Sequence, residues 1–152
     1  MHELATLLTS PGRRTVCQHQ TMAHPPRFHD DDPLLNRVRD LALTFPGAAE
    51  KISHGTPTFY TVKVFCQYGA PVKGDHDSWA LRRALVFRPD ESERALLQAD
   101  ARIHIPAYAG PYGWLALDLT QGEPDWAEVR ELMDASYRLT APTKRIAELD
   151  AR

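Results

Sequence analysis

Nothing in the 152 residues forms an apolar run of about 18, the length a membrane-spanning helix needs, and no charged-then-apolar leader ends in a small-residue cleavage site. The expected setting is the cytoplasm. Cysteine is scarce: Cys17 and Cys66 lie far apart, which excludes a disulfide framework, and Cys66 alternates with Val64 and Tyr68 as an ordinary buried strand residue does. Charge of one sign is also lacking, since a net charge of -2 gives no global attraction to nucleic acid and any such attraction must be local. The chain has no G-x-S-x-G elbow, no H-E-x-x-H, no dinucleotide-binding glycine fingerprint and no internal repeat. "GAPVKG" is a poor phosphate loop, because Lys73 precedes the last glycine and no helix with a Ser or Thr ligand follows. Accordingly, no catalytic residue, metal or cofactor is expected.

What remains is a composition of 43% hydrophobic and 25% charged residues, enough for one domain with a real core. Residues 1–31 mix prolines, histidines, arginines and aspartates without apolar periodicity and read as a mobile tail, leaving 32–152 as the domain. Met22 offers an alternative start, because nothing before it is needed by that domain. Cys17, His19, His24 and His29 are metal-ligating types, but their spacing fits no tetrahedral zinc motif.

Order begins at Asp32. "DDPLLNRVRDLALTFPG" combines an acidic cap, proline at the first helical position and apolar residues at helical spacing, with Pro46 and Gly47 as the stop. After a link through Glu50 and His54, "PTFYTVKVFCQYG" reads as two short strands bending near Thr61 and Val62. "ALVFRP" gives a third strand and "PDESERALLQAD" a helix whose Asp90 and Glu93 have capping-box spacing. "RIHIP" and "GWLALDL" supply two further strands around the loop "PAYAGPYG". A helix opening at Pro124 carries Trp126, Val129, Met133 and Tyr137 on one face, and a short helix runs from Pro142 to Leu149. This order predicts an α+β domain with a mostly antiparallel five-stranded sheet and helices on one face.

Four segments, "SHGTPTF" at 53–59, "VFCQYG" at 64–69, "IPAYAGPYGWLALDL" at 105–119 and "DWAEVRELMDASYRLTAP" at 125–142, together resemble the MmcQ/YjbR family. The resemblance covers about Asp32 to Leu149. It implies a two-layer, secretion-chaperone-like domain described as DNA-binding through a double wing of hairpins. The chain departs from the family pattern at Thr61 and Val62, where relatives carry glycine or a basic residue, and at Arg88, where relatives often carry lysine.

Reading the strands with period two gives one apolar set: Val64, Cys66 and Tyr68; Leu85 and Phe87; Ile103 and Ile105; Leu115, Leu117 and Leu119. These are expected to meet the helices. The opposite set, including Lys63, Phe65, Gln67, Ala84, Val86, Arg88, Arg102, His104, Trp114 and Ala116, mixes cations with rings and is expected to lie open. Lys51 to Arg88 holds six Lys or Arg against two Asp, whereas Glu123 to Arg138 holds five acids against two arginines, so an electrically two-sided domain is expected. The candidate nucleic-acid contacts are therefore Lys63, Phe65, Arg82, Arg83, Arg88, Arg102 and Trp114, binding DNA weakly and without sequence preference. About four phosphate contacts correspond to a salt slope near -4 on duplex DNA. The rival reading is a small-molecule or enzymatic pocket lined by His54, Tyr108, Tyr112 and Trp114, and a third is a protein-interaction module.

Overall fold

The computed structural model describes residues 25–75 and 77–152. Cys17, His19, His24 and Met22 lie outside the described residues. Asp32 caps the first helix, α1 (Pro33–Ala42), by accepting from the Leu34 N–H at 3.0 Å, as its place before a proline suggests. Leu35, Val38 and Ala42 are fully buried on its inner face.

Six antiparallel strands follow, rather than five: β1 (Ala49–Ser53), β2 (Thr56–Tyr60), β3 (Val64–Tyr68), β4 (Ala84–Phe87), β5 (Ile103–His104) and β6 (Leu115–Asp118), in spatial order β1-β2-β3-β4-β6-β5. The additional strand is β1, which the sequence presents as a link. It pairs with β2 through the two-residue turn His54–Gly55, where both φ angles are positive (51° and 79°), the combination a type I′ hairpin requires. Its signal was the His-Gly pair between two five-residue runs, obscured because β1 is an edge strand with Lys51 and Ile52 exposed.

A short helix α2 (Arg94–Gln98) follows a 3₁₀ turn capped by Asp90. The long helix α3 (Trp126–Thr140) is capped by Asp125, one residue beyond Pro124, and α4 (Thr143–Asp150) closes the chain. One face of the sheet carries Cys66, Tyr68, Leu85, Phe87, Leu115, Leu117 and Leu119 into a core with α1 and α3, as the period-two reading expects. Ile105 departs from it: β5 ends at His104, and Ile105 is 50% exposed.

Phe65 is the larger departure. Thr58 pairs with Gln67 and Phe59 with Cys66, but Tyr60 pairs with Val64, so Phe65 is an extra residue in β3. This bulge breaks strict alternation and turns Phe65 onto the same side as Cys66. There its ring packs 5.7 Å from Phe45 and 5.3 Å from Tyr137, fully buried. Beyond the last β3–β4 pair, Cys66 with Phe87, Ser136 of α3 joins the two chains. Its buried hydroxyl donates to the Phe65 carbonyl and accepts from the Arg88 N–H at 2.9 Å.

The opposite sheet face is not open. Ala84, Val86 and Ala116 are fully buried beneath Ala70 and Leu81, with Val72 and Trp114 packed beside them. The β3–β4 connection folds back over the sheet, its Gly69 N–H bonding Ala84 O and Ala70 N–H bonding Leu81 O. It meets the 105–114 loop where Ala107 N–H donates to Pro71 O at 3.0 Å. Small side chains on β4 and β6 permit this close second layer, which period two cannot reveal.

Residues 25–31 lie against the domain. Arg27 N–H bonds Gly55 O at 2.8 Å, Phe28 packs on the main core and Asp30 reaches Arg39. No helix among the described residues is long and apolar enough to cross a membrane.

Candidate nucleic-acid interface

The antiparallel register separates the expected contact residues. Lys63, Arg88 and Trp114 stand at the end of the sheet where β3 and β6 begin and β4 ends; Arg82 and Arg83 stand at the other. The four residues of β4 lie between Arg83 and Arg88, so five residue steps of extended chain, roughly 17 Å, separate the two. Lys63 and Arg88 are exposed, whereas Trp114 is half-buried against the small rear cluster and Phe65 is in the core. Arg102 points toward the helices, bound to Asp100 at 2.7 Å and to Glu128 at the start of α3 at 2.9 Å. The six cations between Lys51 and Arg88 are likewise dispersed, with Lys51 lying over Tyr60 on the β1–β2 hairpin. A single continuous cationic and aromatic sheet surface is therefore not what these residues build.

At the Arg82–Arg83 end, two hairpin tips converge. The His54–Gly55 turn and the β3–β4 connection lie together there because β2 and β3 are antiparallel neighbours. The segment through Arg27 seats against Gly55, where a Cβ would stand 2.5 Å from Pro25 O. Glycine is required by contact as well as by its φ.

A cleft of about 660 Å³ opens beside these tips, lined by Arg27, Phe28, His29, Asp32, Trp79, Arg82 and Arg83 among others. Its cations are not equivalent. Arg83 donates to both Asp32 oxygens, at 2.7 and 3.2 Å, while Tyr68 donates to the same carboxylate. Burial opposes the Asp32 charge, but the hydrogen bonds from Arg83, Tyr68 and Leu34 hold its pKa below the ordinary 3.8. Burial and the hydrogen bond to Asp32 push the Tyr68 phenol up. Arg83 is thus a structural cation that joins β4 to the start of α1.

Arg82 is different. Its guanidinium lies over the Trp79 ring, and its Nε is buried with no hydrogen-bond partner among the described residues. Burial, followed by the charge of neighbouring Arg27, lowers its pKa. Arg82 therefore carries two costs, an unsatisfied donor and a neighbouring like charge, of the kind that an anion relieves. Trp79 is 63% exposed and leaves much of its surface for a planar group.

A second cavity of about 380 Å³ lies behind the hairpin tips, lined by Arg27, Ser53, His54, Thr56, Gln67, Pro71 and Tyr108. It unites His54 with Tyr108 from the expected pocket but excludes Tyr112, which is 80% exposed, and Trp114. Sequence reasoning missed Arg27, Trp79 and Gln67 as site residues. Trp79 and Arg82 share the run "SWALRR", a local signal of aromatic and cation together, whereas Arg27 is brought in by long-range contact, its N–H on Gly55 O.

These features define a small α+β domain built on one antiparallel sheet, with helices across one face and two loops across the other. The chain belongs to the YjbR family, whose sequence profile matches residues 43–139. No curated protein matches the sequence.

Proposed function

We propose that this YjbR-family protein binds nucleic acid, without catalysing a reaction on it, in the cleft between its two hairpin tips. Phosphate oxygens sit on Arg82 and Arg27, and a base lies against Trp79. The double wing implied by the family resemblance then corresponds to the β1–β2 turn and the β3–β4 connection, not to the bend at Thr61 and Val62. The observation that carries the reading is Arg82, a partly buried cation on an aromatic ring with one donor unsatisfied. A charged phosphate supplies the missing acceptor, and the exposed indole supplies sequence-tolerant stacking. Two cations rather than four bring a shallower salt dependence, with a slope of about -1.4 for a single strand.

Titration of fluorescent single-stranded and duplex oligonucleotides at two salt concentrations tests this. Arg82→Ala and Trp79→Ala are each expected to weaken binding about tenfold, while Lys63→Ala with Arg88→Ala leaves it unchanged. Equal loss from both pairs overturns the assignment to this cleft, and absence of binding at low salt overturns the function.

A further inference from the structure

We infer that the nucleic-acid cleft continues past the Arg83–Asp32 bridge into a second hollow carrying Arg37 and Trp126, an extension that rests on the function proposed above. The occupant of the two hollows together is a single strand rather than a duplex. Three observations lead there.

The hollows adjoin. One of about 660 Å³ holds Trp79 and Arg82, one of about 550 Å³ holds Arg37 and Trp126, and both are lined by Pro33, Arg83 and Thr120. The Leu119 N–H donates to Arg83 O at 3.0 Å, which sets Thr120 beside Arg83. Pro33 opens α1, and Arg37 follows four residues later on the same side of that helix. Each volume lies in the range of about 300–1,000 Å³ that takes a small organic molecule, so each suits a nucleotide unit rather than a length of double helix.

Both hollows carry the same pair of side chains. The Arg37 guanidinium stands 5.6 Å from the centre of the Trp126 ring, as that of Arg82 lies over Trp79. Arg39, Arg94, Arg102, Arg138 and Arg145 are committed to carboxylates. Arg37 and Arg82 make neither an ion pair nor a side-chain hydrogen bond among the described residues, and Arg37 is exposed. A guanidinium resting on an indole keeps one planar face for a base and its N–H groups for phosphate oxygens.

The backbone between the two pairs is already ordered. Asp118 accepts from the Thr120 N–H at 2.9 Å, the Thr120 hydroxyl at 2.7 Å and the Gln121 amide at 3.2 Å. Asp125 accepts from the Ala127 N–H at 3.0 Å and so caps α3, fixing Trp126 as its first residue. A ligand therefore meets preformed walls and loses little affinity to ordering them.

These features select against a duplex. Its bases stay stacked on one another, out of reach of both indoles, and its closely spaced phosphates would meet Asp31 in one lining and Glu123 in the other. A single strand lays successive bases on the two arginine–tryptophan pairs, with the neutralised Arg83 between them.

The test titrates the full chain, at two salt concentrations, with fluorescent oligothymidylates of two and eight nucleotides and a blunt twelve-base-pair duplex. The eight-nucleotide strand is expected to bind about tenfold more tightly than the dinucleotide or the duplex. Arg37→Gln and Trp126→Leu should each remove about tenfold from the eight-nucleotide strand and leave the dinucleotide unchanged, whereas Trp79→Ala weakens both. Arg37, as a third cation, brings the salt slope of the longer strand to about -2.1, and Arg37→Gln returns it to about -1.4. Arg37→Gln alters an exposed side chain, and Trp126→Leu retains an apolar contact with the core, so unchanged thermal unfolding is expected of both. If Trp79→Ala weakens the eight-nucleotide strand but Arg37→Gln does not, or if the duplex binds as tightly as that strand, the second hollow is overturned and the first cleft stands. Absence of binding by every oligonucleotide at low salt overturns the proposed function and this extension together.

Discussion

Ser136 shows how a single hydroxyl supports a local irregularity. Just beyond the last β3–β4 pair, Cys66 with Phe87, the Ser136 hydroxyl bridges the Phe65 carbonyl and the Arg88 N–H. Alanine at 136 would leave a buried donor and acceptor unsatisfied. Ser136→Ala is expected to destabilise the fold by about 2–3 kcal/mol in chemical denaturation, although it removes only one oxygen. The same scale explains Cys66: complete burial pushes its thiol pKa up, so it is a packing residue rather than a reactive one.

At the scale of elements, the β1–β2 hairpin carries the consequence of a two-residue turn. Gly55 has φ of 79°, and a Cβ there would press on Pro25 O. Gly55→Ala is expected to cost about 1–3 kcal/mol in thermal or chemical unfolding. It should also increase hydrogen exchange at Arg27, whose N–H bonds Gly55 O. A variant with unchanged exchange at Arg27 would show that the turn and the 25–27 segment are not coupled. The hairpin also explains a gap in reading: the strong Asn-Gly signal is absent, and an edge strand with exposed Ile52 offers no clear inward face.

For the whole molecule, carboxylates that tie elements together govern acid stability. Asp32 joins α1, β3 and β4 through Leu34, Tyr68 and Arg83; Asp100 is held at about 2 by side-chain and backbone hydrogen bonds from Arg102, which also reaches α3 through Glu128. Both carboxyl pKa values are lower in the folded chain, so their stabilisation is present above the unfolded values and is lost as pH falls through the folded ones. Thermal unfolding should therefore show a falling Tm between about pH 4 and pH 2. Asp32→Asn should lower Tm at neutral pH and converge with the parent once pH has fallen through the folded Asp32 value, which lies below 3.8. A constant difference across that range would remove the Asp32 charge from the account.

The sequence by itself determined the local elements: Asp32 and Pro33 start α1, β-branched and aromatic runs mark β2 to β4 and β6, and the 3.6-residue period assigns the inner face of α3. Those signals depend on neighbouring residues and backbone hydrogen bonds, so they are present in any short window of the chain. Only tertiary structure decided that Phe65 turns inward, that two loops cover Ala84, Val86 and Ala116, and that Arg83 is neutralised while Arg82 is not. Each of those outcomes depends on groups far apart in the chain, such as Ser136 with Phe65, Pro71 with Ala107 and Asp32 with Arg83. Period and composition identify which residues carry charge or rings; the three-dimensional contacts decide which of them still face a ligand.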